Sequence, residues 1–228
     1  GYIVYKFYGE RAGVFLSGLL GGVISSTATT VSYAKISSKV GGSPTHGVTI
    51  IAIAWTVVYV RVFVEAFVVA PSFRTLWLPL GVLFTVSSLS SIWLWRRGAR
   101  VRTKMPKQEN PSEIRTALVF AGVYSVVLFG VAFAKLHWGT GGLMAMAVLS
   151  GITDMDAITL STSRLVRAGT LTAQEGWPVI IAAATSNVFF KGLIAAFWGG
   201  RRLALQLAMP WALSLLCGVG LLVFLGQK

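Results

Sequence analysis

Acidic side chains are scarce in this chain, with seven Asp and Glu residues against 20 Lys and Arg residues among 228. Cysteine occurs once, at Cys217, and histidine twice. A single cysteine can form neither a disulfide nor a cysteine-based metal site within one chain. The metallopeptidase pattern HExxH, the serine hydrolase elbow and the kinase signatures are also missing. The sequence therefore predicts no enzyme.

Charged residues of either sign make up 12% of the chain, whereas 55% is hydrophobic and the mean hydropathy is +0.73. A net charge of +13 could indicate nucleic-acid binding. However, the basic residues lie mainly between apolar blocks, which is where membrane proteins keep Lys and Arg. The composition therefore predicts a multi-pass protein whose partner is the lipid bilayer and not a nucleic acid.

The apolar blocks are long enough to cross a bilayer, which takes about 20 helical residues. Such blocks cover residues 48–69, 76–95, 117–134, 179–198 and 203–225. Two further segments, residues 13–33 and 142–163, become polar halfway, at SSTATT and TDMDAIT. Short apolar runs of this kind are typical of broken or re-entrant helices. The sequence predicts an all-α integral membrane protein with about seven membrane segments.

The two half-polar segments align when the sequence is shifted against itself by 129 positions. GVISSTATTVSYAKI (residues 22–36, the first motif) then faces GITDMDAITLSTSRL (residues 151–165, the second motif). Repeats of this kind are common in transporters, so we predict two duplicated halves, 1–95 and 116–228, joined by a basic cytoplasmic linker, 96–115. The first half lacks most of its N-terminal helix, and residues 1–7 are expected to be the end of that helix.

Charge does not decide whether the halves run parallel or inverted, because the positive-inside rule gives both schemes equal support. The short apolar runs before the two motifs favour the inverted scheme. The stretches GLLGGVISSTATTVSYA, SGITDMDAITLS and ATSNVFFKG resemble an uncharacterised membrane domain often found C-terminal to an MgtC/SapB-like domain in bacteria and archaea. The resemblance implies a multi-pass protein of a prokaryotic cytoplasmic (inner) membrane. It also implies an MgtC-like partner domain in the same longer chain, and through that domain a link to magnesium.

The two aspartates of the chain, Asp154 and Asp156, follow directly on an apolar run. If Thr153 or Asp154 caps a helix, both carboxylates lie in its first turn. They are then either caps at the membrane edge or part of a broken helix at depth, where ionisable groups usually serve an ion or proton path. The positions facing them in the first motif are Ser25 and Thr27.

If the two helix starts meet, they form a polar chamber lined by oxygen atoms. Oxygen ligands favour hard cations such as Mg²⁺ or Na⁺, or protons, and we predict no other cofactor. The alternative for SSTATT is close helix packing through small residues. The candidate ion-binding residues are Ser25, Ser26, Thr27, Thr30, Asp154, Asp156, Thr159, Asn187 and Lys191, with the two aspartates as candidate metal ligands.

Arg61 and Glu65 lie four residues apart within an apolar block and are expected to form an ion pair, either structural or coupled to transport. Lys191 has no acidic neighbour on its own helix, so Asp154 or Asp156 is its expected partner. The leading interpretation is a transporter or channel for a small ion. The alternatives are a non-transporting anchor or regulatory module for an MgtC-like domain and, third, an intramembrane enzyme; a homo-oligomer is left open.

Overall fold

The computed structural model describes residues 10–38, 44–98 and 142–225, and the regular elements in these ranges are all helical. The elements are α1 (Glu10–Ser38), α2 (Pro44–Val69), a 3₁₀ turn (Arg74–Leu76), α3 (Trp77–Gly98), α4 (Gly142–Thr153), α5 (Asp156–Arg167) and α6 (Ala173–Leu225). The all-α prediction is confirmed for this part of the chain.

Four helices are long and apolar enough to cross a bilayer. They cover Ala12–Ser38, Thr45–Val69, Arg74–Arg97 and Ala173–Leu225, whereas α4 is apolar but shorter. The helical, membrane type of the chain agrees with its composition. Residues 1–7, the block 117–134 and most of the linker lie outside the described residues, so the count of about seven segments stays a prediction.

The long helix α6 is interrupted at Gly200, where φ is 70° and ψ is 177°. A positive φ of this kind suits glycine, which has no Cβ. The parts of α6 before and after Gly200, its two arms, lie against each other. The indole Nε1 of Trp211 on the second arm donates a hydrogen bond to the carbonyl of Val188 on the first, at 3.0 Å. The apolar blocks 179–198 and 203–225 therefore lie on separate arms.

Helix α2 is central to the described part of the fold. Of its most apolar stretch, 72% is buried, against 39% for α1 and for α3. Helix α2 packs against α1, α3, α5 and α6. Its position explains why a polar side chain on α2 can contact both sequence motifs.

Candidate functional site

Ser25 lies where the backbone of α1 is interrupted within the first motif. Its dihedrals, φ −164° and ψ 105°, are extended, and its Oγ atom accepts a hydrogen bond from the backbone N–H of Ala28 at 3.2 Å. Accepting this bond makes Ser25 the N-cap of the second part of α1. Serine and threonine favour such interruptions because their side chains compete for backbone hydrogen bonds.

Asp154 holds the equivalent position of the second motif. Helix α4 ends at Thr153, α5 begins at Asp156, and the Oδ1 atom of Asp154 accepts a hydrogen bond from the backbone N–H of Asp156 at 3.3 Å. The free N–H groups and the dipole of a helix start stabilise carboxylates there. Both aspartates therefore lie at the start of α5.

Each motif begins with a glycine in close contact with a neighbouring helix. A Cβ atom on Gly22 would stand 2.9 Å from the Cα atom of Ala54 on α2, and a Cβ on Gly151 would stand 3.0 Å from the Cα of Ala183 on α6. Ala54 and Ala183 are themselves 129 positions apart. The same glycine-to-alanine contact thus occurs twice at the spacing of the two motifs.

The carbonyl groups of these glycines lie just before the interruptions, where a helix leaves its last carbonyls without internal partners. The carbonyl of Gly22 accepts a hydrogen bond from Nη1 of Arg61 at 3.3 Å, and the carbonyl of Gly151 accepts one from Nδ2 of Asn187 at 2.6 Å. Arg61 comes from α2 and Asn187 from α6. At each interruption, therefore, a polar side chain of an adjacent helix donates a hydrogen bond to the glycine carbonyl.

Arg61 also contacts the second motif, because its Nη2 atom forms an ion pair with Oδ2 of Asp156. The sequence had suggested Glu65, four residues along the same helix, as the partner of Arg61. The ion pair of Arg61 reaches across to α5, although Arg61 also interacts electrostatically with Glu65, whose Oε2 atom is buried without a hydrogen-bond partner among the described residues. Glu65 and Asp156 are still close enough to interact electrostatically.

Lys191 makes the reverse connection, from the second half of the chain to the first motif. Its side chain is 2% exposed, and its Nζ atom donates a hydrogen bond to Oγ of Ser26 at 2.7 Å. It also interacts electrostatically with Asp154 and Asp156, which the sequence had suggested as its partners. The two motifs therefore meet around two basic side chains, Arg61 and Lys191.

Hydroxyl groups of the first motif are hydrogen-bonded within the protein. Thr29 donates to the carbonyl of Ser25 at 2.8 Å, and Thr30 donates to the carbonyl of Ser26 at 2.8 Å. The hydroxyl of Thr30 also accepts a hydrogen bond from Nε1 of Trp55 at 2.9 Å. These partners give Thr29 and Thr30 a structural role that the sequence did not reveal.

Three hydroxyl groups of the second motif differ from those of Thr29 and Thr30 in their hydrogen bonding. The side chains of Thr159, Thr162 and Ser163 are completely buried, and in the part of the chain that the structure describes their hydroxyls have no hydrogen-bond partner. The spacing i, i+3, i+4 places the three on one face of α5. Thr162 and Ser163 were not among the predicted site residues, although this spacing could have indicated them.

The structure thus brings together Ser26, Asp154, Asp156 and Lys191, with Arg61 joining the two motifs. Ser25 caps its helix, Thr27 is half-buried, and Asn187 holds the carbonyl of Gly151. Among the described residues, no group of three or more His, Cys, Asp and Glu side chains is placed to hold a metal ion. Any cation held here would rely on two carboxylates together with hydroxyl and carbonyl oxygens.

A family model described as a domain of unknown function (DUF4010) matches residues 1–199. The chain belongs to this family. An uncharacterised protein of Aquifex aeolicus (strain VF5) is 27% identical to this DUF4010 chain over 219 residues, which cover 95% of each protein. No solved structure matches the chain. Neither description assigns an activity, so the function has to be inferred from the site.

Proposed function

We propose that this chain is a membrane transporter or channel for a small cation or proton, with its binding site where the two motifs meet. One observation carries the proposal. The side chain of Arg61 binds both the carbonyl before the first interruption and a carboxylate at the second. Interrupted helices with ionisable groups between them are a common way to build ion sites in transporters.

The depth of these residues supports the proposal. Ser25 is the midpoint of the span Ala12–Ser38. Arg61 lies eight residues before Val69, the last residue of α2, which corresponds to about 12 Å along a helix. Because the apolar core of a bilayer is about 30 Å thick, both residues belong near its middle. Ionisable groups at this depth are costly and usually serve a function.

The charges of the cluster favour a cation of low charge. Three carboxylates, on Glu65, Asp154 and Asp156, lie near the two basic groups of Arg61 and Lys191. When all five groups are ionised, one negative charge is left without compensation. One proton or one monovalent cation would neutralise it, whereas Mg²⁺ would need to keep several of its water ligands at a site with so few carboxylates.

The test is ion flux into liposomes that contain the purified chain, measured for H⁺, Na⁺, K⁺ and Mg²⁺. Asp154→Asn combined with Asp156→Asn should reduce flux to the level of empty liposomes, because Asn keeps the side-chain shape but loses the charge. Glu175→Gln is the matched control. It removes an exposed carboxylate that is bonded to Thr172 at the start of α6, and flux should stay at the parental level.

The double variant leaves Arg61 without its carboxylate partner, which is destabilising for a partly buried charge. If its thermal unfolding shows a damaged fold, adding Arg61→Gln removes the unpaired charge, and flux should still be absent. Parental flux equal to that of empty liposomes would reject the proposal. Undiminished flux in the double variant would reject these carboxylates as the site.

A non-transporting module that anchors or regulates an MgtC-like domain is the alternative. It rests on the sequence resemblance and predicts no flux for any ion. In either case we propose the cytoplasmic membrane of a prokaryote as the location, which agrees with the Aquifex aeolicus relative. An intramembrane enzyme is the third candidate, and no arrangement of the described residues favours it over the other two.

A further inference from the structure

Helix α5 leads from the carboxylates to the turn between α2 and α3. It starts at Asp156, and near its end Nη1 of Arg167 donates a hydrogen bond at 3.4 Å to the carbonyl of Val69, where α2 ends. Arg167 lies eleven positions after Asp156, which corresponds to about 17 Å along a helix. That length is close to half the apolar thickness of a bilayer, about 15 Å.

The face of α5 along this route is polar and enclosed. Thr159, Thr162 and Ser163 lie one turn and two turns beyond Asp156, and none of their hydroxyls has a hydrogen-bond partner in the described part of the chain. Other buried hydroxyls, such as that of Thr49, donate to a carbonyl of their own helix, at 3.0 Å in that case. Burying a hydroxyl without a partner costs free energy.

We propose that this face of α5 is the access path by which water and the transported ion pass between the carboxylates and the surface at the α2–α3 turn, and that the path is closed in this conformation. When α5 separates from α2 and α6, water binds the three hydroxyls, and this gain favours opening. Along the helix axis, Asp156, Thr159 and Thr162 follow one another at about 4.5 Å and Arg167 follows Ser163 at about 6 Å, distances that one bridging water spans.

This inference deepens the proposed function and rests on it. The surfaces packed against α5 agree with a path that can open. A Cβ atom on Gly176, near the start of α6, would lie 3.4 Å from the Cγ2 methyl of Thr162. Around that point the packing is apolar, so the three hydroxyls form no hydrogen bond there that opening would break. The titratable groups that face α5 are Arg61 and Glu65 of α2 and Lys191 of α6.

Silver ion, a small cation that reacts with thiols, tests access directly. Cys217→Ala removes the one native cysteine, and Ser163→Cys then places a single thiol on the path. Ser90→Cys in the same background is the matched control, because Ser90 is also buried, at 5% exposure against 0% for Ser163, but donates to the carbonyl of Val86 at 2.8 Å. The thiol at 163 should react about tenfold faster or more, since a dry helix interface is reached only by local opening.

Thr162→Val tests the same path without cysteine. Valine has the shape of threonine but cannot bind water, so the closed form should gain stability, the unfolding temperature should rise, and flux should fall about tenfold. Thr49→Val is the control, for which flux should be unchanged and the unfolding temperature unchanged or lower.

The outcomes separate the path from the proposed function. If parental flux is present, equal reaction rates at 163 and 90 together with undiminished flux in Thr162→Val would overturn the path and leave transport standing. If parental flux is absent, faster reaction at 163 would support the path and reject transport.

Discussion

The two motifs share a backbone design but differ in how their polar groups are used. Each places a glycine against an alanine of a neighbouring helix, and in each a side-chain oxygen accepts a hydrogen bond from a backbone N–H at the start of a new helix segment. In the first motif the hydroxyls of Thr29 and Thr30 bond within the protein. In the second, carboxylates replace Ser25 and Thr27, and three buried hydroxyls lack hydrogen-bond partners among the described residues. The repeated features are therefore structural, and under the proposed function the differences show which motif supplies the carboxylates.

The glycine contacts should give the largest effect. In Gly22→Ala the new methyl meets the backbone of Ala54, and in Gly151→Ala it meets the backbone of Ala183. Backbone atoms cannot move aside as a flexible side chain can, so we expect each variant to lose about 3 kcal/mol, the upper end for overpacking. Thermal unfolding in detergent measures the loss. Gly81→Ala is the control, because no atom of the described residues lies within 4 Å of its added Cβ.

Equal losses at positions 22 and 151 would support two copies of one structural unit. If Gly151→Ala unfolds at the same temperature as Gly81→Ala, α4 and α6 do not approach each other as closely as described. The two motifs would then not share the glycine-to-alanine contact.

Thr30 and Thr159, which face each other in the alignment, should respond with opposite signs. Thr30→Val removes the acceptor of the Trp55 indole and should cost about 2 kcal/mol, because a buried N–H group is left unpaired. Thr159→Val removes a buried hydroxyl that has no hydrogen-bond partner among the described residues, and stability should rise by up to about 1 kcal/mol.

The same thermal unfolding experiment decides between the two roles. A loss of stability in Thr159→Val as large as in Thr30→Val would mean that the hydroxyl of Thr159 is bonded in the native protein. The proposed distinction between a structural and a functional motif would then be wrong at this position.

The helical, membrane type of the chain could be predicted from its sequence because it depends on the lengths of apolar runs. The partners of the buried charges could not. Arg61 and Asp156 are 95 residues apart, whereas Glu65 is four residues from Arg61 and was the partner that helix spacing suggested. Spacing identifies neighbours along one helix, but the closest carboxylate here comes from another helix.

The hydrogen-bond partners of equivalent threonines also could not be predicted from the sequence. Thr30 and Thr159 are the same residue type at equivalent positions, yet the hydroxyl of Thr30 bonds the Trp55 indole and that of Thr159 has no hydrogen-bond partner in the described part of the chain. The difference depends on which side chain of the neighbouring helix reaches the hydroxyl. At two other positions the sequence does show the difference. Thr162 and Ser163 align with Tyr33 and Ala34 of the first motif, which pack with apolar neighbours.

The caps should give the smallest change in stability and the clearest separation of structure from function. Ser25→Ala and Asp154→Ala each remove a side-chain acceptor at a helix start and should cost about 1 kcal/mol, whereas Asp154→Asn keeps an acceptor and should cost less than about 0.5 kcal/mol. Flux should follow a different order. Asp154→Asn should lose most of its ion flux because the charge is gone, and Ser25→Ala should keep most of it because water can replace a neutral hydroxyl. Thermal unfolding and liposome flux measured on the same preparations check both orders. Parental flux in Asp154→Asn would make Asp154 a cap like Ser25, and the two motifs would then differ in composition but not in role.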